Sequence, residues 1–291
     1  MQAYFTLNKT KHTKKYIMTN LKTLIFSFAI IGILSFNANA QDPKFRNYYK
    51  VPEVVQTDLY KMSYSSIIST MLMAKMGMTI ENTGKDYLVY NFEEANFKYD
   101  FGDNHPEPRV LFIRPGEKKK RTLKVEGNVE YLAESYTLET SGLYKVAKDG
   151  KPVAVENFQL PAAKNTIEVG NFTISLVKLK KETKETNAKF ECTYNGDKIA
   201  IVNPSKLSIT VDGKEDMEYA NDNKKAKDLL MKKGDKVKFN ATFHIPGKIV
   251  DMQFATMYIL WNNTFMESEL EKLKVAPVQM ILDPGMTKAK N

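Results

Sequence analysis

Histidine is nearly absent from this chain: three among 291 residues, and beyond residue 40 only His105 and His244. Zinc hydrolases of the His-Glu-x-x-His kind, serine triads and histidine acid–base sites all need an imidazole with placed partners. No such arrangement is written here. Cysteine is scarcer still. Cys192 alone cannot form a disulfide within the chain, so the fold rests on its apolar core. The chain also lacks a Gly-x-Ser-x-Gly elbow, a Walker A loop, a dinucleotide fingerprint and Cys-x-x-Cys. Ser175 and Lys178 match Ser-x-x-Lys by letter, but an offset of three on a strand sends the two side chains to opposite faces. Glu93 and Glu94 are adjacent on an expected strand, so they cannot face each other across a cleft as glycoside hydrolysis requires. No catalytic residues and no cofactor are expected.

What is present begins with an address. The apolar run Leu24–Leu34 follows Lys22 and precedes Ala38-Asn39-Ala40. It is too short to span a bilayer, and a small-residue site follows it, which reads as a secretory signal over residues 1–40, cut after Ala40. Met18 is a more usual start for such a leader than Met1. Position 41 is Gln, not the lipid-bearing cysteine of a lipoprotein, so the product is expected to be soluble in the periplasm or outside the cell, with no membrane span in the mature chain. The leader carries five lysines and no acid, so its removal lowers the net charge from +9 to +4. That surplus excludes nucleic acid as the expected partner, because phosphate neutralisation needs clustered Lys and Arg. The one dense patch, Lys118-Lys119-Lys120-Arg121, follows Pro115-Gly116 and reads as a solvated hairpin flank.

Along the mature chain the pattern changes twice. Val55, Leu59 and Met62, then Ile67, Ile68, Met71 and Leu72, recur at three- and four-residue steps, which predicts an N-terminal helical segment over 41–84. From residue 85 the period becomes two, as in Phe97, Tyr99 and Phe101. Leu143–Val146 and Val153–Val155 bracket Asp149-Gly150, and Asn195-Gly196 lies between two further strands; both dipeptides signal type I′ hairpins. Phe158–Ala163 reads as a linker. These segments predict a mainly β protein with sandwiches over 85–158 and 165–285, short helical stretches at 222–233 and 268–274, a central strand over Met252–Trp261, and a frayed tail over 286–291. In the strand Lys236–His244, Val237, Phe239, Ala241 and Phe243 face inward. Cys192 alternates with Phe190 and Tyr194 and reads as an inert core thiol. No whole-chain repeat is evident.

Gly142-Leu143-Tyr144-Lys145-Val146 resembles the tyrosine corner of immunoglobulin-like domains, with Val146 where the second disulfide cysteine would stand. The resemblance covers about five residues. It implies two tandem immunoglobulin-like sandwiches and is silent on function.

Candidate binding residues follow from side-chain type. Met62, Met71 and Met76 would form a flexible apolar stripe on the expected helix, suited to packing or to a partner. Tyr60, Tyr64 and Trp261 would serve as aromatic platforms for a sugar. Asp100, Asp103 and His105 are weak metal candidates, since they share a loop without a regular ligand spacing. The expected function is a non-enzymatic protein–protein interaction or envelope-assembly module with a protein partner in the cell envelope. A glycan or small apolar ligand is the second reading, and a carboxylate-based hydrolase the third. Mass spectrometry of the exported protein should find Gln41 at its N-terminus; a retained leader in the exported fraction would overturn the address.

Overall fold

The structure, a computed structural model, describes residues 45–127 and 129–291. The leader and its cleavage site lie outside the described residues. Among the described residues no helix is long and apolar enough to cross a membrane. The chain is mainly β, built as several antiparallel sheets.

The first series of strands comprises β1 (Asn47–Tyr48), β2 (Val55–Gln56), β3 (Tyr60–Ser69), β4 (Met73–Asn82) and β5 (Tyr87–Asn91). A 3-10 turn over Phe92–Glu94 leads to β6 (Ala95–Tyr99), β7 (Gly102–Asn104) and β8 (Val110–Ile113). Then come β9 (Lys118–Glu126), β10 (Ser135–Thr140), β11 (Leu143–Val146), β12 (Lys151–Pro152) and β13 (Phe158–Leu160). The second series repeats it: β14 (Thr166–Val169), β15 (Phe172–Lys181), β16 (Glu185–Tyr194) and β17 (Ile199–Val202). A second 3-10 turn, Pro204–Lys206, precedes β18 (Ser208–Val211), β19 (Lys214–Ala220) and β20 (Leu229–Met231). The chain closes with β21 (Lys236–His244), β22 (Met257–Leu260), β23 (Phe265–Ser268), β24 (Glu271–Lys272), β25 (Val278–Ile281) and a helix α1 (Pro284–Lys290).

Each series makes one lobe of two layers. In the first lobe β3, β4 and β9 pair in that order, with β1 and β2 on the outer edge of β3. The opposing layer runs β24-β11-β5-β8 and continues beyond the 3-10 turn as β25-β10-β6-β7, the same four chain paths in the same order. The second lobe repeats this with β14-β15-β16-β21 against β12-β23-β17-β20 and β13-β22-β18-β19. Equivalent positions keep a constant spacing at first: Tyr60 matches Phe172, Met73 matches Glu185, Tyr87 matches Ile199 and Asn91 matches Asn203, each 112 apart (172 minus 60). The internal repeat that the sequence hides is therefore plain in the pairing.

The last two strands of each series are exchanged. After β11 the chain leaves the first lobe, and β12 and β13 pair with β23 and β22 of the second. After β23 it returns, and β24 and β25 pair with β11 and β10 of the first. Helix α1 then docks at the chain's beginning, where Thr287 Oγ1 accepts from Tyr48 N at 3.0 Å and Asn291 Nδ2 donates to Arg46 O at 2.8 Å.

Several expectations are corrected here. The N-terminal helix is the hairpin β3–β4. Its helical spacing comes from a bulge between Ser65 and Ile68, with Ser66 at φ +52°, which inserts one residue and buries Ile67 and Ile68 side by side. The expected linker contains β13, with Phe158 and Leu160 buried in the second core. Asp149-Gly150 and Asn195-Gly196 are crossovers between sheets rather than hairpins, since the strands they join pair with other partners. Gly150 permits a close approach there: a Cβ would lie 2.7 Å from the Glu267 carbonyl oxygen. Residues 222–228 form a loop ahead of β20, 271–272 form β24, and the tail is α1. Residues 271–281, expected in the second sandwich, belong by pairing to the first lobe. Tyr144 makes no tyrosine corner, because its hydroxyl donates to the Glu94 carboxylate at 2.6 and 2.7 Å. Burial on both faces falls not on Met252–Trp261, where β22 alternates, but on β5, its counterpart β17 and the following strand β18.

That double burial joins the lobes. Leu88 and Tyr90 face the first core, and Ala200 and Val202 the second. Tyr87 and Val89 meet Ile199 and Ile201 in a third cluster with Val146 and Leu230. Met280, fully buried on β25, tests the exchange. Met280→Ala should cost about 2–5 kcal/mol, and amide exchange should accelerate in β10 and β6 of the first lobe rather than in β22, although Met280 follows the second series in sequence.

Candidate functional site

The repeat places one cleft in each lobe beside an unpaired sheet edge. In the first, β9 is the edge strand, and the loop before β8 stands across from it. His105, Pro106, Glu107, Pro108 and Arg109 line one side of a cleft of 520 Å³, Thr122, Lys124 and Glu126 the other, with Phe92 and Val125 beneath. Its charges are mixed, with Arg109 and Lys124 beside Glu107 and Glu126. The His105 ring is held by Nδ1, 2.9 Å from Ala95 O.

In the second lobe β21 replaces β9, and the loop ahead of β20 replaces the His105 segment. This cleft, of 310 Å³, is lined by Asn223, Lys225, Ala226 and Lys227 on the loop, by Lys238 and Asn240 on β21, and by Arg114, which reaches in from the first lobe. Pro204, the counterpart of Phe92, sits beneath with Leu229 and Phe239. The loop is pinned at both ends. Asn223 Nδ2 donates to Asn240 O at 2.9 Å, and Arg114 Nη2 donates to Asp228 O at 2.7 Å. Tyr87 donates its hydroxyl to the Asp228 carboxylate. Arg114 Nε is buried without a partner.

Two polar clamps secure these sheets. Glu94 accepts from Tyr144, from Lys272 Nζ at 2.8 Å and from Asn91 Nδ2 at 3.1 Å, which ties the exchanged strand β24 to the first lobe. Burial pushes the Glu94 carboxyl up, but the hydrogen bonds from Lys272, Tyr144 and Asn91 together outweigh it and hold it below its usual value. His244 ends β21 between Asp222 and Glu185, each at 2.9 Å; its hydrogen bond to Asp222 leads in raising its pKa. Cys192 is fully buried, and burial alone pushes its thiol up to about 12, so it packs rather than reacts.

The sequence-derived candidates do not come together. Met62, Met76, Tyr60 and Tyr64 point into the first core, each at most 4% exposed. Met71 stands apart at the β3–β4 tip, 49% exposed. Trp261 is 3% exposed in the second core, with Nε1 donating to Glu156 O at 2.9 Å, so it offers no shelf to a sugar. Asp100 is exposed on the turn between β6 and β7 and Asp103 is exposed within β7, and among the described residues no three His, Cys, Asp or Glu side chains gather to hold a metal. Sequence reasoning missed Arg114 and the second cleft. The signal was the run Lys224-Lys225-Ala226-Lys227, read there as part of a helix; nothing local marks Arg114.

No family model matches the chain, and no curated protein does. Among solved structures it is similar to the coconut allergen cocosin, at 8% identity over 82% of this chain and 86% of that one, with a TM-score of 0.15. It is also similar to a mutant oxalate decarboxylase from Bacillus subtilis, at 8% identity over 79% and 80%, again with a TM-score of 0.15. Scores this low carry neither fold nor activity to this chain.

The Glu94 clamp gives a pH dependence with a definite sign. Its folded pKa lies below the usual 4.5, so its stabilisation is fully present above that value and is lost as pH falls through the folded pKa. Glu94→Gln should therefore be less stable than the parent near neutral pH, and the gap should close on acidification, as read by denaturant titration at several pH values. An equal gap at all pH values would remove the carboxylate from this role.

Proposed function

We propose that this protein is an exported, non-catalytic binding module of the cell envelope, made of two immunoglobulin-like sandwiches that exchange their last strands and work by holding a protein partner. The strand order supports the sandwich reading. In the first lobe β3, β4 and β9 form one sheet. The paths β7/β8, β5/β6, β10/β11 and β24/β25 form the other, which is how first, second and fifth strands oppose fourth, third, sixth and last in one variety of immunoglobulin-like sandwich.

The observation that carries the binding reading is the pair of edges the exchange leaves open. The exchanged strands cover one side of each lobe, while β9 and β21 end their sheets unpaired. Both present alternate lysines outward: Lys118, Lys120 and Lys124 on β9, Lys236 and Lys238 on β21. On β21 the lysines are neutralised by Glu191, 3.2 Å from each ammonium. On β9, Lys118 lies 3.8 Å from the Glu81 carboxylate and Lys124 pairs with Glu126, but the position of Glu191 is taken on β4 by Thr79, so Lys120 faces solvent with no carboxylate opposite. Lysine on an edge strand discourages self-pairing, and on β9 Lys120 beside the exposed Arg121 also leaves a positive patch for a complementary partner.

Cross-linked capture from the native envelope with tagged protein beginning at Gln41 tests this reading. The parent should retain a defined envelope protein, and Lys118→Glu combined with Lys120→Glu should lose it by about tenfold or more while keeping the parent's circular dichroism. Undiminished capture by that variant, or no partner at all, would overturn it.

A further inference from the structure

The two clefts descend from one place in the repeat, and they have diverged in charge. The first sets Arg109 and Lys124 against Glu107 and Glu126. The second keeps the position and the apolar floor but is lined by Arg114, Lys225, Lys227 and Lys238, with no carboxylate among its lining residues. Lys238 shares Glu191 with Lys236, and Arg114 Nη1 stands 4.0 Å from the Glu117 carboxylate, whereas Lys225 and Lys227 have no ion-pair partner among the described residues. Like charges gathered in one small cleft repel one another, so the arrangement is unfavourable unless an anion sits among them. It is also held in place. Arg114 and Asn223 pin the two ends of the loop that carries Lys225 and Lys227, and two residues of spacing let both lysines line the same cleft.

We propose that this cleft binds a phosphomonoester group, with Arg114, Lys225 and Lys227 as its cationic ligands and Asn240 at its rim. A phosphomonoester carries close to two negative charges near neutral pH and offers three acceptor oxygens, which suits one guanidinium and two ammonium groups better than a single carboxylate does. The guanidinium is oriented by its Nη2 bond to Asp228 O, and its Nη1, 4.0 Å from the Glu117 carboxylate, is beyond hydrogen-bond distance of it. The floor of Pro204, Leu229 and Phe239 would accept the apolar face of whatever carries the phosphate. A sugar phosphate and a phosphatidate headgroup share this chemistry.

The test uses the protein beginning at Gln41, titrated with inorganic phosphate, glucose 6-phosphate and acetate while backbone amide shifts are followed, and co-sedimented with vesicles containing phosphatidate. Phosphate and glucose 6-phosphate should move the amides of Asn223–Leu229 and Lys238–Asn240, acetate should move them far less, and Lys225→Glu with Lys227→Glu should weaken phosphate binding about tenfold or more. Lys288→Glu, exposed on α1, should leave it unchanged. Tighter binding of glucose 6-phosphate than of vesicles points to a soluble ligand and the reverse to a lipid; either supports the site. Shifts spread over lysines of both lobes, equal response to acetate, or phosphate binding indifferent to the double variant would overturn it. Arg114→Gln separates the roles of that side chain: with the fold intact, it should weaken phosphate binding as well. None of these readouts requires the envelope partner, so a failure here leaves the β9 proposal standing, and the reverse also holds.

Discussion

The exchange of terminal strands is the constraint on which the rest of this molecule depends. Neither lobe can complete its second layer from its own series. Tyr136 and Leu138 of β10 find their outer neighbours in Met280 and Val278, which arrive only after the whole second lobe has been made. Met257 and Ile259 of β22 pair with Leu160 and Phe158, which leave the first lobe in advance of the second. Each lobe thus contains a strand whose chain direction and reach are set by the other. A hinge between them would have to break four strand pairings, so relative motion is coupled to unfolding of both cores.

The close approach that exchange demands explains the buried junction. The crossover chains after β11 and β23 are short, which holds the outer faces of β5 and β17 against each other. Those strands consequently carry apolar side chains on both faces, Tyr87 and Val89 outward against Ile199 and Ile201, Leu88 and Tyr90 inward. A solvated outer face would show the alternation that β21 displays. Arg114 owes its place in the second lobe's cleft to the same junction, since it leaves the first lobe just after β8 and donates to the carbonyl of Asp228 across it.

Local pattern made part of this legible. The alternation of β21 is visible in sequence because one face is polar and no residue interrupts the pleat; Phe239, Ala241 and Phe243 are buried as the pattern requires. The β character of the chain from residue 85 and the inert Cys192 follow from the same period. The hairpin β3–β4 was hidden by a single inserted residue at the Ser65–Ile68 bulge, which turned a two-residue period into one that imitates a helix. Its methionines, Met62, Met76 and Met78, fill a core instead of a stripe. The Asp-Gly and Asn-Gly dipeptides were read correctly as turns and wrongly as hairpins, because turn chemistry fixes the local bend and not which strand lies next to which. The second cleft was illegible for a related reason. Its cations come from two lobes and three elements, and only pairing between distant segments assembles them.

The repeat itself supplies the comparison that separates folding residues from site residues. Gly116 and Gly234 both adopt positive φ, +71° and +83°, and both donate to the last residue of the preceding long strand, Asn82 and Tyr194. Glu117 and Asp235 accept from the amides of Arg114 and Lys232, at 2.9 Å in each case. Asn91 and Asn203 cap the two 3-10 turns in the same way. These are positions where backbone geometry leaves few alternatives, and there the two copies agree. Elsewhere they have drifted: the first core uses Tyr60, Tyr90 and Tyr99 where the second uses Phe172, Val202 and Val211. Drift of that kind keeps the positions buried, changes the packing inside each core and changes little outside it. The clefts differ in a less neutral way, since Glu107 and Glu126 line one, while the other sets Lys225 and Lys227, with no ion pair among the described residues, beside Arg114 and Lys238, whose carboxylates Glu117 and Glu191 lie outside the lining. Loss of balancing charge at a pinned, concave position raises the energy of the empty protein, and a bound anion is the simplest physical compensation for it.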